Sequence, residues 1–409
     1  MKSRLSSRCV AVLLLHFSLL VMASRKITAA TQPDREIELT ETTYQVSADN
    51  TAKVTYHQRW RALTAAGRVA ISQIKIPYLA AFQDVEITYI KTAKKDGSVV
   101  NGDPAGAFDT APLADPLAPV FTDLKMRTVL PPSLETGDSV EYEAVLHIHK
   151  WAKPDDFWFV HFLTTNVPVI SETVVLDLPA DREVGLYESS TIPGKTETIN
   201  GRRIERWVIA SPEPAKASLE TAAPLFAVSS MRSWDAFGQW MYSLNKKAAE
   251  PTTEIASLAA KLTANKSSEQ ERIAAVYTYV ATKVRYVSVS FGLGRVQPHT
   301  ASVVLHNAYG DCKDQTALLS ALLGAAGFKT YAVLTTPAVG VQVRDVPTPD
   351  QFNHEFTAID TKAGLLFLDT STGPVPPGVL PAGVRGYSAL LVGEKTSSII
   401  DIPIQSSVP

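Results

Sequence analysis

Cysteine is almost absent from this chain, which holds only two, Cys9 and Cys312, among 409 residues. Because Cys9 falls in an N-terminal segment with the pattern of a removable leader, the processed protein is expected to keep one thiol and form no internal disulfide. An excess of one charge is also lacking, since 39 basic residues face 41 acidic ones, and no feature indicates nucleic-acid binding. Beyond the N-terminus, no apolar run is long enough to cross a bilayer.

The N-terminus has the parts of a secretory signal peptide. Lys2, Arg4 and Arg8 supply positive charge, Val10–Met22 is mostly apolar, and the small residue Ala23 follows. The apolar segment is too short and wrongly flanked for a stable membrane span. We therefore predict a signal peptide at residues 1–30, export to the periplasm, cell envelope or medium, and no integral membrane span after cleavage. An uncleaved anchor is the alternative.

Residues 31–210 have the pattern of strand after strand. Two turn-rich segments, Ser47–Asn50 and Lys94–Gly97, each separate β-rich runs and predict hairpins. No helical period of any length appears. We therefore predict an all-β sandwich of antiparallel strands over residues 31–210. The Pro/Ala-rich residues 211–224 have no strand period and are predicted to be a linker.

Helices and then short strands are predicted in residues 225–409. Ser233 precedes an apolar stripe at helical spacing, and Ser267–Gln270 is typical of a capped helix start. Gly327 fits the end of the helix that begins near Cys312, and three β-rich segments follow it. The sequence therefore predicts a multidomain chain in which an α+β region follows the all-β region.

Cys312 stands at the predicted N-terminus of a Leu-rich helix, directly after Tyr309, Gly310 and Asp311. A helix N-terminus stabilises an anion, and the thiolate is the nucleophilic form of cysteine. Gly310 is free to take positive φ in the tight turn that leads into the helix, and Asp311 and Asp314 suit its first turn. The alternative for a lone cysteine is a buried inert thiol, which the polar neighbours argue against.

A base and a carboxylate follow Cys312 along the chain. His354 opens one β-rich segment, Asp369 ends the next, and the turn Thr361–Gly364 between them predicts a hairpin that brings the two side chains together. Nucleophile, base and orienting carboxylate would then come from different elements. The alternative for Asp369 is a cap on the turn at Ser371.

These motifs resemble the catalytic core of bacterial transglutaminase-like proteins, a papain-like superfamily. The matching stretches are YVSVSFG, GDCKD with its Leu-rich helix, FNH and LFLDTSTG, within about Trp234 to Pro403. The β-rich region resembles, more loosely, a domain of unknown function that precedes this core in many exported bacterial proteins; the stretch TDLKMRTVLPPSLETGDSVEYE carries that resemblance.

The resemblance implies a papain-like Cys-His-Asp site with Cys312 as nucleophile, His354 as general base and acid, and Asp369 as orienting residue. It implies acyl transfer from a protein or peptide amide through a thioester, with release to an amine or to water. The Cys312 backbone N–H is one expected oxyanion donor, and Tyr286 and Gln297 are candidates for the second. The alternative function is a non-catalytic cell-envelope scaffold or binding protein with an envelope protein partner.

No metal or cofactor site is predicted. His147 and His149 share a strand face, and His161 lies on the next candidate strand, but no fourth ligand is evident. A calcium loop of the Asp-x-Asp-x-Asp-Gly kind does not occur either. We therefore expect cofactor-free chemistry at a cysteine.

Overall fold

A computed structural model describes residues 33–112, 120–163, 167–210 and 223–404. The predicted signal peptide, with Cys9, lies outside the described residues, and so does the predicted linker apart from residues 223 and 224. No helix in the described ranges is long and apolar enough to cross a membrane. From Pro33 onward the described chain forms one unit, in which two regions differ in secondary structure.

The first region is built almost entirely of strands. Its elements are β1 Arg35–Val46, β2 Ala52–Ala62, α1 Ala65–Ala70, β3 Ile74–Leu79, β4 Gln83–Ala93, β5 Val99–Asn101, β6 Phe108–Thr110, β7 Val120–Thr122, β8 Leu124–Val129, β9 Ser139–Ile148, β10 Trp158–His161, β11 Ser171–Pro179, β12 Gly185–Glu188, β13 Lys195–Ile199, β14 Arg202–Ala210 and β15 Phe226–Ser229.

Three sheets of this region share one apolar core. The largest has eight strands in the order β13-β14-β11-β1-β2-β9-β4-β5, and the smaller ones have the orders β10-β15-β12 and β3-β8-β6. Tyr44 of β1, Ile76 of β3 and Phe226 of β15 are buried in the same cluster, so the smaller sheets pack on the large one. The predicted all-β sandwich is confirmed.

Both predicted hairpins of this region are present, β1 with β2 and β4 with β5. The expectation of purely antiparallel strands is wrong at one place, because β1 pairs with β11 in parallel. A long connection separates these two strands, so no local turn dictated their direction. The region also holds the short helix α1, which the strand pattern did not reveal. Strand β15, beyond the predicted linker, hydrogen-bonds to β10 and β12.

The second region has helices first and a sheet afterwards, as predicted. Its elements are α2 Trp234–Ala248, α3 Thr253–Thr263, α4 Glu269–Lys283, β16 Arg285–Tyr286, β17 Ser288–Ser290, α5 Ala301–Asn307, β18 Tyr309–Gly310, α6 Cys312–Ala325, β19 Thr330–Thr335, β20 His354–Thr361, β21 Gly364–Leu368, β22 Ser388–Leu391 and β23 Ser398–Asp401.

The sheet of the second region has five strands in the order β21-β20-β19-β22-β23, all antiparallel. Helices α3 to α6 cover one of its faces, where Ile255, Leu318 and Ile359 lie in one buried cluster. The opposite face buries Val333 and Phe356. The buried side of α6 is therefore held against the strand that carries His354, which fixes the start of the helix relative to that strand.

The two regions are joined by apolar packing and by backbone pairing. Trp158 of β10 lies in one buried cluster with Phe237 and Met241 of α2. Strand β7 pairs in parallel with β17, so a strand of each region hydrogen-bonds to the other. These contacts place the first region directly beside the start of the second.

Candidate active site

Helix α6 presents Cys312 at its first turn. Asp311 is the N-cap, and it forms a capping box with Asp314, whose side chain accepts from the Asp311 backbone N–H. The backbone N–H groups of Asp311 and Asp314, which have no acceptor within the helix, thereby gain one. Cys312 is half-buried, so its sulfur is neither enclosed by the leucines of the helix nor freely exposed.

The turn that leads into α6 differs from the sequence expectation. Gly310 does not use its freedom to take positive φ; Ala308 takes the left-handed conformation instead, with φ of 54°. Gly310 is needed for close approach, because a Cβ there would lie 2.6 Å from the Cβ of Asp314. The absence of a side chain at Gly310 therefore lets β18 run tightly against the first turn of α6.

A buried ion pair lies directly under the nucleophile. Lys313 is only 5% exposed and Asp311 only 3%, and the Lys313 ammonium forms a salt bridge with the Asp311 carboxylate. Removing either partner would leave a charge buried without compensation. The polar residues around Cys312, whose role the sequence left open, therefore form part of the framework that holds the helix start.

His354 and Asp369 meet as predicted. The hairpin of β20 and β21 pairs Thr357 with Leu368, and the Nε2 of His354 lies 2.8 Å from Oδ2 of Asp369. The other Asp369 oxygen, Oδ1, accepts from the backbone N–H of Ser371 at 2.9 Å. Asp369 therefore does both things that the sequence allowed, since it contacts the imidazole and caps the following turn.

Charge and hydrogen bonding at this pair favour a protonated imidazole. Burial acts to lower the pKa of His354, but hydrogen bonds to Asp369 and Cys312, with the charges of both groups, outweigh it and raise the pKa to about 10. Burial acts to raise the pKa of Asp369, while its bonds to His354 and Ser371 lower it overall. At neutral pH an imidazolium therefore lies between the Asp369 carboxylate and the side chain of Cys312.

A cleft opens over these groups. Cys312, His354 and Tyr286 line it together with apolar side chains that include Phe237 and Phe352. The pKa of Tyr286 is raised by burial and by the nearby charges of Cys312 and Asp311, so the phenol keeps its proton. Of the two candidate oxyanion donors, Tyr286 lies in the cleft, whereas Gln297 is not among the described residues that line it.

Glu355 is a feature of the cleft that sequence reasoning missed. It is 5% exposed, and its Oε1 has no hydrogen-bond partner among the described residues. Burial raises its pKa to about 8, although the Lys313 charge and Asn245 act in the opposite direction. The available sign was an acidic residue immediately after a candidate catalytic histidine.

The three histidines considered as metal ligands do not converge. His147 and His149 stack with ring centroids 6.4 Å apart and face Glu86 and Asp84 respectively. His161 instead lies 2.9 Å from the Tyr44 hydroxyl. Within the ranges that the structure describes, no group of three or more His, Cys, Asp or Glu residues could hold a metal ion.

Two family models match this chain. The model of the domain of unknown function DUF3857 matches residues 48–216, and the model of the transglutaminase-like superfamily matches residues 256–345. Cys312 lies inside the second match, and His354 and Asp369 follow its end. No curated protein matches the chain.

One solved structure shows the same fold over most of the chain. The chain is similar to "a putative protease from Parabacteroides distasonis ATCC 8503", with 18% identity, coverage of 91% of this chain and 72% of that one, and a TM-score of 0.74. A second match is "a putative cysteine protease from Cytophaga hutchinsonii", with 13% identity, coverage of 60% and 80%, and a TM-score of 0.27. On the two family matches, the chain carries a DUF3857 domain followed by a core of the transglutaminase-like superfamily.

Proposed function

We propose that this protein is a thiol-dependent enzyme that acts on peptide or glutamine-type amides through a Cys312 thioester. The observation that carries the proposal is the half-buried thiol at the start of α6, beside an imidazole that Asp369 holds through a 2.8 Å contact. Nucleophile, base and orienting carboxylate are the parts that such chemistry requires.

In this proposal Cys312 reacts as a thiolate, and the raised pKa of His354, about 10, favours an imidazolium beside it. The sulfur attacks the amide carbonyl carbon, a C–S bond forms, and the carbonyl electron pair moves onto oxygen. Because Nε2 of His354 is engaged by Asp369, Nδ1 is the atom that passes its proton to the amide nitrogen. The electron pair on oxygen then re-forms the C=O bond as the C–N bond breaks. The amine departs, and the acyl group stays on Cys312 as a thioester.

Release of the acyl group reverses the proton transfer. Water, or a primary amine, gives a proton to Nδ1 of His354 while its oxygen or nitrogen attacks the thioester carbon. The C–S bond breaks, and the thiolate and imidazolium are restored. Hydrolysis and amine transfer therefore use the same residues and differ only in the nucleophile that reaches the thioester.

The negative oxygen of each tetrahedral intermediate needs donors. The backbone N–H of Cys312 points from the N-terminus of α6, where the helix dipole favours negative charge. Tyr286 supplies the second donor in this proposal, because it lines the cleft with Cys312 and its raised pKa keeps the hydroxyl protonated. With the predicted signal peptide, the protein is exported in this proposal. Its substrates are then proteins or peptides outside the cytoplasm.

Alkylation of the thiol tests the proposal. At pH 6.5, iodoacetamide should modify Cys312 at least about tenfold faster in the native protein than in His354→Ala. An unassisted thiol is only about 1% ionised at that pH, and the lower nucleophilicity of a stabilised thiolate offsets part of the gain. Peptide mapping by mass spectrometry follows the rate and identifies the modified residue.

His306→Ala is the matched control, because His306 is exposed at the end of α5; its rate should equal that of the native protein. Equal rates in the native protein and in His354→Ala would contradict a catalytic cysteine. The scaffold function would then be the better account of this core.

A further inference from the structure

A second cavity continues from the active-site cleft onto the DUF3857 region. Both cavities are lined by Arg295, Val296, Pro349, Phe352 and Asn353. Apart from these shared residues and Asp350, the second cavity is lined by side chains of the first region, among them Leu79, Phe82, Lys150 and Trp151. The two cavities therefore form one groove that starts at Cys312 and runs along the boundary between the regions.

We propose that this groove binds the extended peptide segment that carries the scissile amide, so that the DUF3857 region forms part of the substrate-binding surface. The inference rests on the proposed function, because the occupant is the substrate of Cys312. The N-terminal region, which matches a domain of unknown function, would then have a role in substrate binding.

The apolar side chains of the groove suit peptide side chains. Phe82, Trp151 and Phe352 are all half-buried, so each keeps ring surface for a ligand. Trp151 is held in place, since its indole N–H donates to the Asn50 carbonyl at 2.8 Å and its ring lies 5.0 Å from that of Trp158. A fixed aromatic side chain loses little conformational entropy when a ligand packs on it.

Charges of both signs flank these rings. Lys150, Arg295 and Asp350 are exposed and line the groove, and the Lys150 ammonium lies 5.8 Å from the centroid of Phe82. A ligand that is apolar at intervals and polar between them, as an extended peptide is, meets both kinds of surface. Continuity with the thiol favours a peptide over an unrelated ligand, because the proposed reaction occurs at an amide.

The walls of the groove are fixed before any ligand arrives. Trp158 packs with Phe237 and Met241 in one buried cluster, and β7 pairs with β17. Strand β17 lies shortly before Arg295 in the chain, so its pairing with β7 holds the first region beside this part of the groove. Because the two sides of the groove are already joined, an extended peptide meets a defined path, and its binding requires no loss of entropy to order the groove.

Two electrophiles of different length test the inference. Chloroacetamide reaches only the thiol, whereas a pool of N-chloroacetyl hexapeptide amides also extends along the groove. In the native protein the peptide pool should alkylate Cys312 with the higher second-order rate constant. Phe82→Ala and Lys150→Glu should each lower the peptide rate about tenfold, the loss expected for one good contact, and leave the chloroacetamide rate unchanged.

Phe108→Ala is the control, because Phe108 is 44% exposed and lies outside both cavities; both of its rates should match those of the native protein. An unchanged peptide rate in Phe82→Ala and Lys150→Glu would overturn the inference. Since Lys150 is an exposed surface residue, its substitution tests the groove even if Phe82→Ala fails to fold. Failure of chloroacetamide to label Cys312 in the native protein would instead contradict the proposed function.

Discussion

The three candidate catalytic residues that the sequence identified all lie at the ends of helices or strands. Cys312 begins a helix, His354 begins a strand and Asp369 follows the end of the next strand. Boundaries leave local marks in the sequence, such as capping residues and turn residues, and these marks fix which side chains meet. Glu355 escaped notice because its burial depends on the packing of α2 and α6 around β20, which no local pattern encodes.

Glu355 should make the stability of the protein fall as pH rises. Its folded-state pKa is raised to about 8, above that of an unfolded chain, so the folded state holds the proton more tightly. The resulting stabilisation is present at low pH and is lost between about pH 4.5 and pH 8. Glu355→Gln removes this dependence, and it should unfold at higher urea concentration than the native protein at pH 8.5.

The free energy of unfolding of Glu355→Gln minus that of the native protein should therefore grow by about 1–3 kcal/mol from pH 5 to pH 8.5. Other titrating groups of the site are the same in both proteins, so their contributions cancel in this difference to first order. Glu250→Gln, at an exposed position after α2, should show a difference that does not change with pH. A constant difference for Glu355→Gln would mean that the carboxyl ionises normally.

At the scale of elements, sequence prediction succeeded where the chain folds back on itself locally. The hairpin of β20 and β21 has a short turn. Helix α4 begins with a capping box of Ser268 and Glu271, one residue later than the expected start at Ser267–Gln270. Strands β22 and β23, and the parallel pair of β7 with β17, were not predicted. Strand β7 lies far from β17 in the sequence, and β22 far from β19, so neither alternation nor turn residues identify these pairs. Strands β22 and β23 form a local hairpin whose short strands were overlooked. Gly310 shows that a glycine before a helix does not have to mark a positive φ, because here it allows close approach to Asp314 in the next turn.

Gly310 in β18 and Gly324 in α6 should respond in opposite ways to an added methyl group. Gly310→Ala would place a Cβ 2.6 Å from that of Asp314, so the turn must move, and we expect a loss of about 1–3 kcal/mol in the free energy of unfolding. It should also slow the alkylation of Cys312, because the start of α6 is displaced. Urea denaturation and iodoacetamide kinetics measure the two effects.

Gly324→Ala is the matched control in α6, because nothing lies within 4 Å of the added Cβ. It should raise the free energy of unfolding by about 0.5–1 kcal/mol, since glycine disfavours a helix interior. A Gly310→Ala protein as stable as the native one would mean that the contact between β18 and α6 relaxes without cost.

At the scale of the whole molecule, the fold class was predictable and the joining of its two regions was not. Composition and periodicity separate a strand-rich region from a helix-containing one, and both are present. The sequence did not indicate that Trp158 of the first region would be buried among Phe237 and Met241 of the second. Such a contact is specified by the complementary shapes of two surfaces, which a one-dimensional pattern does not contain.

This shared packing predicts that the two regions unfold together. Trp158 is 7% exposed, so Trp158→Ala should cost about 3–5 kcal/mol through lost burial and a cavity. Because the cluster belongs to both regions, hydrogen exchange should show the same drop in opening free energy for amides in β9 and in α6. Val208→Ala, at a 65% exposed position on β14, should change neither. A drop confined to β9 would show that the regions open independently, and the groove between them would then lack the fixed walls on which peptide binding depends.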